Sequence, residues 1–182
     1  MISRVLWKIE VVKFGEFKLS SGKTSNIYID LRKLPSHPNV FKYVVTELVK
    51  KISGEAFDII CGIATGGLPI AVAVAYEMRR PMIYVRKEKK EHGAERLIEG
   101  DWEEDSRVLL IDDVSTTGSS LMMATEVLRE HGLRVEKAWV VVDRLEGARE
   151  ALASIGVKLQ SLITLKDLLS TEEWSHEVPK LG

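Results

Sequence analysis

The sequence predicts an α/β fold, a mostly parallel sheet flanked by helices, with a small amino-terminal segment over residues 1–35 and a core over 36–182. Three observations carry this. From residue 57 to 169, short apolar runs alternate with stretches of helical spacing. Some of those runs, such as Val108-Leu109-Leu110-Ile111, are continuously apolar, as in strands covered on both faces. Polar or glycine-rich turns follow the strands, at the sheet edge where open parallel sheets bind ligands.

Taken in order, Ile2, Val5, Leu6, Ile9 and Val12 fall at helical spacing and predict an amphipathic helix over 2–13, ended by Phe14-Gly15-Glu16-Phe17. Ser20 to Ser25 reads as a donor-rich turn. Ile27, Ile29 and Leu31 alternate with Tyr28, Asp30 and Arg32, a strand with one buried face. Pro38 suits a first helical turn, and Phe41, Val44, Val45, Leu48, Val49 and Ile52 form the apolar stripe of a helix closed by Gly54. Phe57 to Ile63 reads as a buried strand, Ala64-Thr65-Gly66-Gly67 as a tight turn, Leu68 to Met78 as a buried helix and Pro81 to Val85 as a strand. Arg86 to Asp105 is dense in charge and lacks apolar periodicity, which suggests a flexible lid over 86–105. Beyond it come a strand over 107–111, a helix to Gly132, a strand over 137–143, a helix over 147–155 and a strand over 157–163. Short helices are expected at 165–169 and 171–176.

Apolar residues make up 45% of the chain and charged residues 29%, with a net charge of −1, so no basic footprint argues for nucleic acid. No run approaches the roughly 20 apolar residues of a membrane span. Arg4, Lys8 and Glu10 set the first residues apart from a secretory signal. Cys61 is the single cysteine, which excludes an internal disulfide and a cysteine-based zinc site. These features make the cytoplasm the expected location.

The chemistry concentrates in Val108 to Ser120. An apolar strand leads into Asp112-Asp113, then Val114, Ser115, Thr116, Thr117, Gly118, Ser119 and Ser120, and then a helix. Backbone N–H groups at a helix start lack intrahelical partners and attract anions. Gly118 lets the backbone curl toward a ligand. No Lys or Arg lies between Asp112 and Ser120, so the cradle is neutral. Two aspartates at its lip repel phosphate and must face sugar hydroxyls or a metal. A ligand with phosphate at one end and a polyol or metal at the other satisfies both. The turn has no Gly-Lys-Ser/Thr ending and no G-x-G-x-x-G.

This stretch resembles the phosphoribosyl diphosphate (PRPP) signature of the type I phosphoribosyltransferases. The resemblance implies that Asp112 and Asp113 meet the ribose hydroxyls, with magnesium close by, that Thr116 to Ser120 hold the 5-phosphate, and that Val114 and Ser115 belong to the same PRPP site. Thr65 and Gly66 resemble the family's pyrophosphate loop, although some members carry a lysine where Gly66 stands. Arg86-Lys87-Glu88-Lys89-Lys90-Glu91-His92-Gly93 is similar to the catalytic loop of orotate phosphoribosyltransferases. That likeness implies a homodimer in which Arg86, Lys90 and His92 act in the partner's site and Lys87 in its own.

Phe14 to Ser25, followed by Tyr28-Ile29-Asp30, resembles the amino-terminal hood of the same enzymes. Tyr28 and Ile29 match positions lining the orotate site, and Ser20 stands where some members have lysine. Arg144 offers a planar fork suited to a carboxylate, which orotate carries and adenine, hypoxanthine and uracil lack. By resemblance Arg144 and Thr116 contact orotate, while Lys90, His92, Asp112 and Asp113 carry the catalytic roles. Two further readings share the PRPP turn: a phosphoribosyltransferase for another base, and a PRPP-sensing transcriptional regulator. The regulator would need a DNA-binding appendage or a basic face.

Overall fold

Strand β6 (Arg107–Ser115) is buried on both faces and sits at the centre of the main sheet. The computed structural model describes residues 2–18, 22, 24–86 and 97–170. Around β6 lie β3 (Ile59–Ile63), β4 (Met82–Val85), β5 (Ile98–Glu99), β7 (Arg134–Asp143) and β8 (Lys158–Thr164). Their order is β5-β4-β3-β6-β7-β8, and only the β4–β5 pair is antiparallel.

Alternate residues of the central strands feed two apolar layers, as the pleat requires. Ile60, Leu109, Ile111, Trp139 and Val141 face one layer, and Ile59, Cys61, Leu110, Ala138 and Val140 the other. Helices α2 (Pro38–Ile52) and α3 (Gly67–Met78) cover the first layer, and α4 (Ser119–Glu130) and α5 (Ala148–Ser154) the second. Helix α2 begins with Pro38 in its first turn, buries Val44, Val45, Leu48 and Ile52, and carries Lys50 and Lys51 in its last turn.

The amino-terminal segment differs from its sequence reading. Helix α1 spans only Ile2–Lys8, and Glu10 at φ 54° turns the chain into β1 (Val12–Lys18). Strand β2 (Thr24–Ile29) pairs antiparallel with β1, Val12 opposite Ile29 and Phe14 opposite Ile27. Phe14 to Phe17 is therefore strand, with a register shift between these two residues. Apolar residues at 9, 12 and 14 fit either periodicity, and the partner strand decides between them. Leu31 leaves the strand for a 3-10 helix, Leu31–Ser36. Trp7 of α1 donates from Nε1 to the carbonyl of Leu168 (2.8 Å), tying α1 to the last described helix, α6 (Leu165–Leu169).

One other difference concerns exposure. Helix α3 buries one face only, with Val72 and Tyr76 exposed. Within 86–105, the described residues include the short strand β5. Val85 pairs with Ile98, the Arg86 amide donates to the Leu97 carbonyl, and Ile98 is buried. Residues 87–96 and 171–176 lie outside the described residues.

Candidate active site

The chain leaves β3 toward β4 on one side and β6 toward β7 on the other. The carboxyl ends of β3 and β6 thus form a switch point, the place where open parallel sheets bind ligands. A cleft of about 380 Å3 opens there. One wall is Ala64, Thr65 and Gly66 after β3. The floor is Asp112, Asp113, Val114, Thr116 and Ser120. The β1–β2 hairpin and the residues after it add Lys18, Tyr28, Ile29 and Arg32, and Arg144 closes the end of β7.

Gly118 adopts φ 84°, and no side chain caps the start of α4. Its first N–H groups therefore have neither an intrahelical nor a side-chain acceptor, which suits a phosphate. Thr117 and Ser119 share a hydroxyl contact of 2.7 Å beside them. Ser115 is different. It is buried, and its hydroxyl donates to Asp143 (3.0 Å), so it braces the turn from behind.

Each aspartate is clasped by the next amide. Asp113 N–H donates to Asp112 Oδ1 (2.9 Å), and Val114 N–H to Asp113 Oδ1 (2.8 Å). Glycines crowd both residues. A Cβ on Gly67 would come 2.7 Å from the Asp112 Cα, and a Cβ on Gly66 would overlap the Asp113 carboxylate. A lysine at position 66 thus cannot coexist with this placement of Asp113. The Ala64–Thr65 peptide beside them is cis.

Arg144 is buried, and its fork points largely inward. Nε donates to Glu146 (2.7 Å), one terminal nitrogen to the Ile27 carbonyl (2.9 Å) and the other to the Ser25 hydroxyl (2.9 Å). It fastens β2 to the end of β7 while also lining the cleft. Asp143 beside it is fully buried and accepts from Ser115, from the Leu145 amide and from Arg149 (2.6 Å).

Tyr28 stacks on Phe17 with ring centroids 5.3 Å apart, and its hydroxyl accepts from Arg32 (2.6 Å). Arg32 Nε also donates to Asp30 (3.1 Å), which Lys13 reaches from β1 (3.1 Å). Partial burial raises the Asp30 carboxyl, but the bonds from Lys13 and Arg32 outweigh it and hold the group below its ordinary range.

Of the residues singled out in the sequence, Tyr28, Ile29, Thr65, Gly66, Asp112, Asp113, Val114, Thr116, Ser120 and Arg144 meet around one cleft. Ser115, Thr117, Gly118 and Ser119 support its floor without lining it. Arg86 stands at the end of β4, bonded to Glu99 (3.3 Å) and away from the lining. Ser20, Lys87, Lys90 and His92 lie outside the described residues. Lys18, inside the hood motif but given no role there, and Arg32, outside every motif, also line the cleft. Arg32 belongs to the 3-10 helix that follows β2, so the alternation of the strand does not place it.

Among the described residues no group of three or more His, Cys, Asp or Glu could hold a metal. The adjacent Asp112 and Asp113 carboxylates fit a hard cation that takes its remaining oxygens from substrate and water.

Residues 33–163 match the family model of the phosphoribosyl transferase domain. The orotate phosphoribosyltransferase of Sulfolobus acidocaldarius is 46% identical over 89% of this chain and 82% of its own length. The crystal structure of orotate phosphoribosyltransferase from Aeropyrum pernix superposes with a TM-score of 0.85 at 41% identity, over 96% of this chain and 99% of that one. The UMP synthase of Leishmania donovani superposes with a TM-score of 0.88 at 37% identity, over 98% of this chain and 39% of that longer one.

Proposed function

Because the chain belongs to the orotate phosphoribosyltransferase family, we infer that it transfers ribose 5-phosphate from PRPP to orotate, giving orotidine 5′-monophosphate and pyrophosphate in pyrimidine biosynthesis. The observation that carries this reading is the turn from Asp112 to Ser120. It places two carboxylates and a neutral, uncapped helix start at one switch point, with Arg144 at the cleft's end.

The reaction breaks the bond from ribose C1 to the diphosphate and joins C1 to a ring nitrogen of orotate, which loses its proton. Pyrophosphate leaves with the bonding electrons. Positive charge grows on the sugar in the transition state and negative charge on the leaving group. Asp112 and Asp113 hold the ribose hydroxyls and favour the sugar cation. The amides of Thr116 to Ser120 seat the 5-phosphate. The Thr65–Gly66 turn receives the diphosphate through backbone groups. Thr116 and Arg144 position the base so that its nitrogen faces C1. Asp112 and Asp113 would stand beside a bound magnesium ion, which would offset the diphosphate charge.

The loop from Arg86 to His92 supplies further cations. Its resemblance to the family's catalytic loop supports a homodimer, with Arg86, Lys90 and His92 serving the partner's site and Lys87 its own. No helix among the described residues is long and apolar enough to cross a membrane. The single buried Cys61 and this biosynthetic role support a cytoplasmic location.

The test is the loss of orotate absorbance with PRPP and magnesium, alongside uracil, adenine and hypoxanthine. Orotate-specific turnover is expected. Turnover with another base alone would reassign the acceptor, and PRPP binding without turnover would leave a sensor.

A further inference from the structure

We propose that Arg32 is a substrate-binding residue, whose guanidinium takes an anionic oxygen pair at the hood side of the cleft. The inference rests on the reading of the preceding section and extends its charge arrangement.

The first ground is position and aim. Arg32 lines the cleft, with its side chain 60% exposed. It is not a loose surface arginine. Bonds to Asp30 and to the Tyr28 hydroxyl set the plane of its fork, and Phe17 stacks on Tyr28 from the other side. Those bonds use two of the five N–H donors an arginine carries, so the remaining donors can reach a ligand. A fork oriented in this way matches the oxygens of a carboxylate or a phosphate.

The second ground is charge. Asp30 does not cancel Arg32, because Lys13 shares the same carboxylate and the trio keeps one net positive charge. Arg32 and Asp113 both line the cleft, a cation and a carboxylate in one lining. A substrate with oxyanions on one part and hydroxyls on another fits between these two residues.

The third ground is the small number of cations in the described lining. Besides Arg32 it holds only Lys18 and Arg144. Arg144 spends one donor from each of its three nitrogens on Glu146, Ile27 and Ser25. The two substrates bring a carboxylate, on orotate, and a diphosphate, on PRPP, and Arg32 is held in place at the cleft that receives them.

One anion chemistry could come from two sources, the diphosphate of PRPP or the carboxylate of the base. The full-length protein and its R32Q and R32K variants would each be titrated calorimetrically, in magnesium buffer, with pyrophosphate, orotate and ribose 5-phosphate. Expected is a loss of about 10–100-fold in R32Q for pyrophosphate or for orotate, the size of a lost charge-assisted hydrogen bond. Ribose 5-phosphate, seated by the cradle, should bind as before. R32K should recover only part of the loss, because lysine lacks the fork.

Weakening of pyrophosphate assigns Arg32 to the diphosphate, and weakening of orotate assigns it to the base. Equal affinity of R32Q for both ligands would overturn the proposal. So would an equal loss for all three, which marks a hood that has collapsed. If the unaltered protein binds pyrophosphate but neither binds nor consumes orotate, the choice of acceptor fails while the diphosphate arm still decides the role of Arg32. If it binds none of the three ligands, both fail.

Discussion

Gly67 lies against Asp112 so closely that a Cβ at position 67 would come 2.7 Å from both the Asp112 Cα and the Ile111 carbonyl. The start of α3 and the carboxyl end of β6 therefore meet backbone to backbone. Gly67→Ala forces two main chains apart and should destabilise the fold by about 1–3 kcal/mol, the usual cost of overpacking. Chemical denaturation would read this as a lower midpoint.

Gly66→Ala should behave differently. Its added methyl meets the tip of the Asp113 side chain, which can rotate away. The denaturation midpoint should hold, while kcat/KM for PRPP falls about 10²-fold because a reacting group is misplaced. Unchanged kinetics in Gly66→Ala would show that the placement of Asp113 does not matter.

Much of this site was legible in the chain because its chemistry is local. Asp112 to Ser120 is continuous in sequence, and a strand followed by a neutral polar turn and a helix can be recognised without knowing its neighbours. The alternation after residue 57 likewise placed Ala64–Gly67 and Arg144 at the same sheet edge. What escaped was decided by distant partners. The conversion of Val12 and Lys13 from expected helix to strand depends on pairing with Ile29 and Tyr28. The tethering of Arg144 depends on Ser25 and Ile27, which are more than a hundred residues away in sequence. The bond from the Ser115 hydroxyl to Asp143 joins residues 28 apart in sequence.

Arg144 joins the hood to the core, so its removal should have two separable effects. In Arg144→Ala the buried Ile27 carbonyl loses its arginine donor, worth about 1–3 kcal/mol. Amide exchange over residues 24–29 should accelerate. Orotate turnover should collapse because the base site loses its wall and its fork. Arg144→Lys should rescue neither effect, since one ammonium cannot reach Glu146, Ile27 and Ser25 together. Full rescue by lysine would reduce Arg144 to a simple positive charge.

Lys90 tests the loop. If it stabilises charge on the departing diphosphate, Lys90→Ala should lower kcat by about 10²–10³, as for a lost oxyanion donor. Its effect on KM for orotate should be smaller. Mixing Lys90→Ala with an Asp113→Asn variant then tests the dimer. Action in trans predicts that heterodimers recover one working site, so activity rises on mixing two nearly inactive preparations. No recovery, with subunit exchange shown independently, would place Lys90 in its own site.

The pair Asp58–Arg107 lies at the amino-terminal ends of β3 and β6, away from the cleft. Asp58 Oδ2 accepts from the Arg107 amide (2.9 Å) and from Nε (2.9 Å), and Oδ1 accepts from the terminal nitrogen (2.8 Å). The Arg107 side chain first, and then its backbone N–H, hold the Asp58 carboxyl far below its ordinary value. An unfolded Asp titrates near about 3.9. A folded value below the unfolded one gives stability that is fully present above the unfolded value and is lost as pH falls toward the folded one. The melting temperature should therefore decline below about pH 4, in part through this pair. Asp58→Asn should lower it at neutral pH and flatten the acid decline. Asp30, also held low by Lys13 and Arg32, should leave a residual slope. Because both side chains are about half exposed, the shift should be small, and orotate turnover at neutral pH should not change. An acid melting curve of Asp58→Asn that simply parallels the parent would mean that the pair contributes nothing to acid sensitivity.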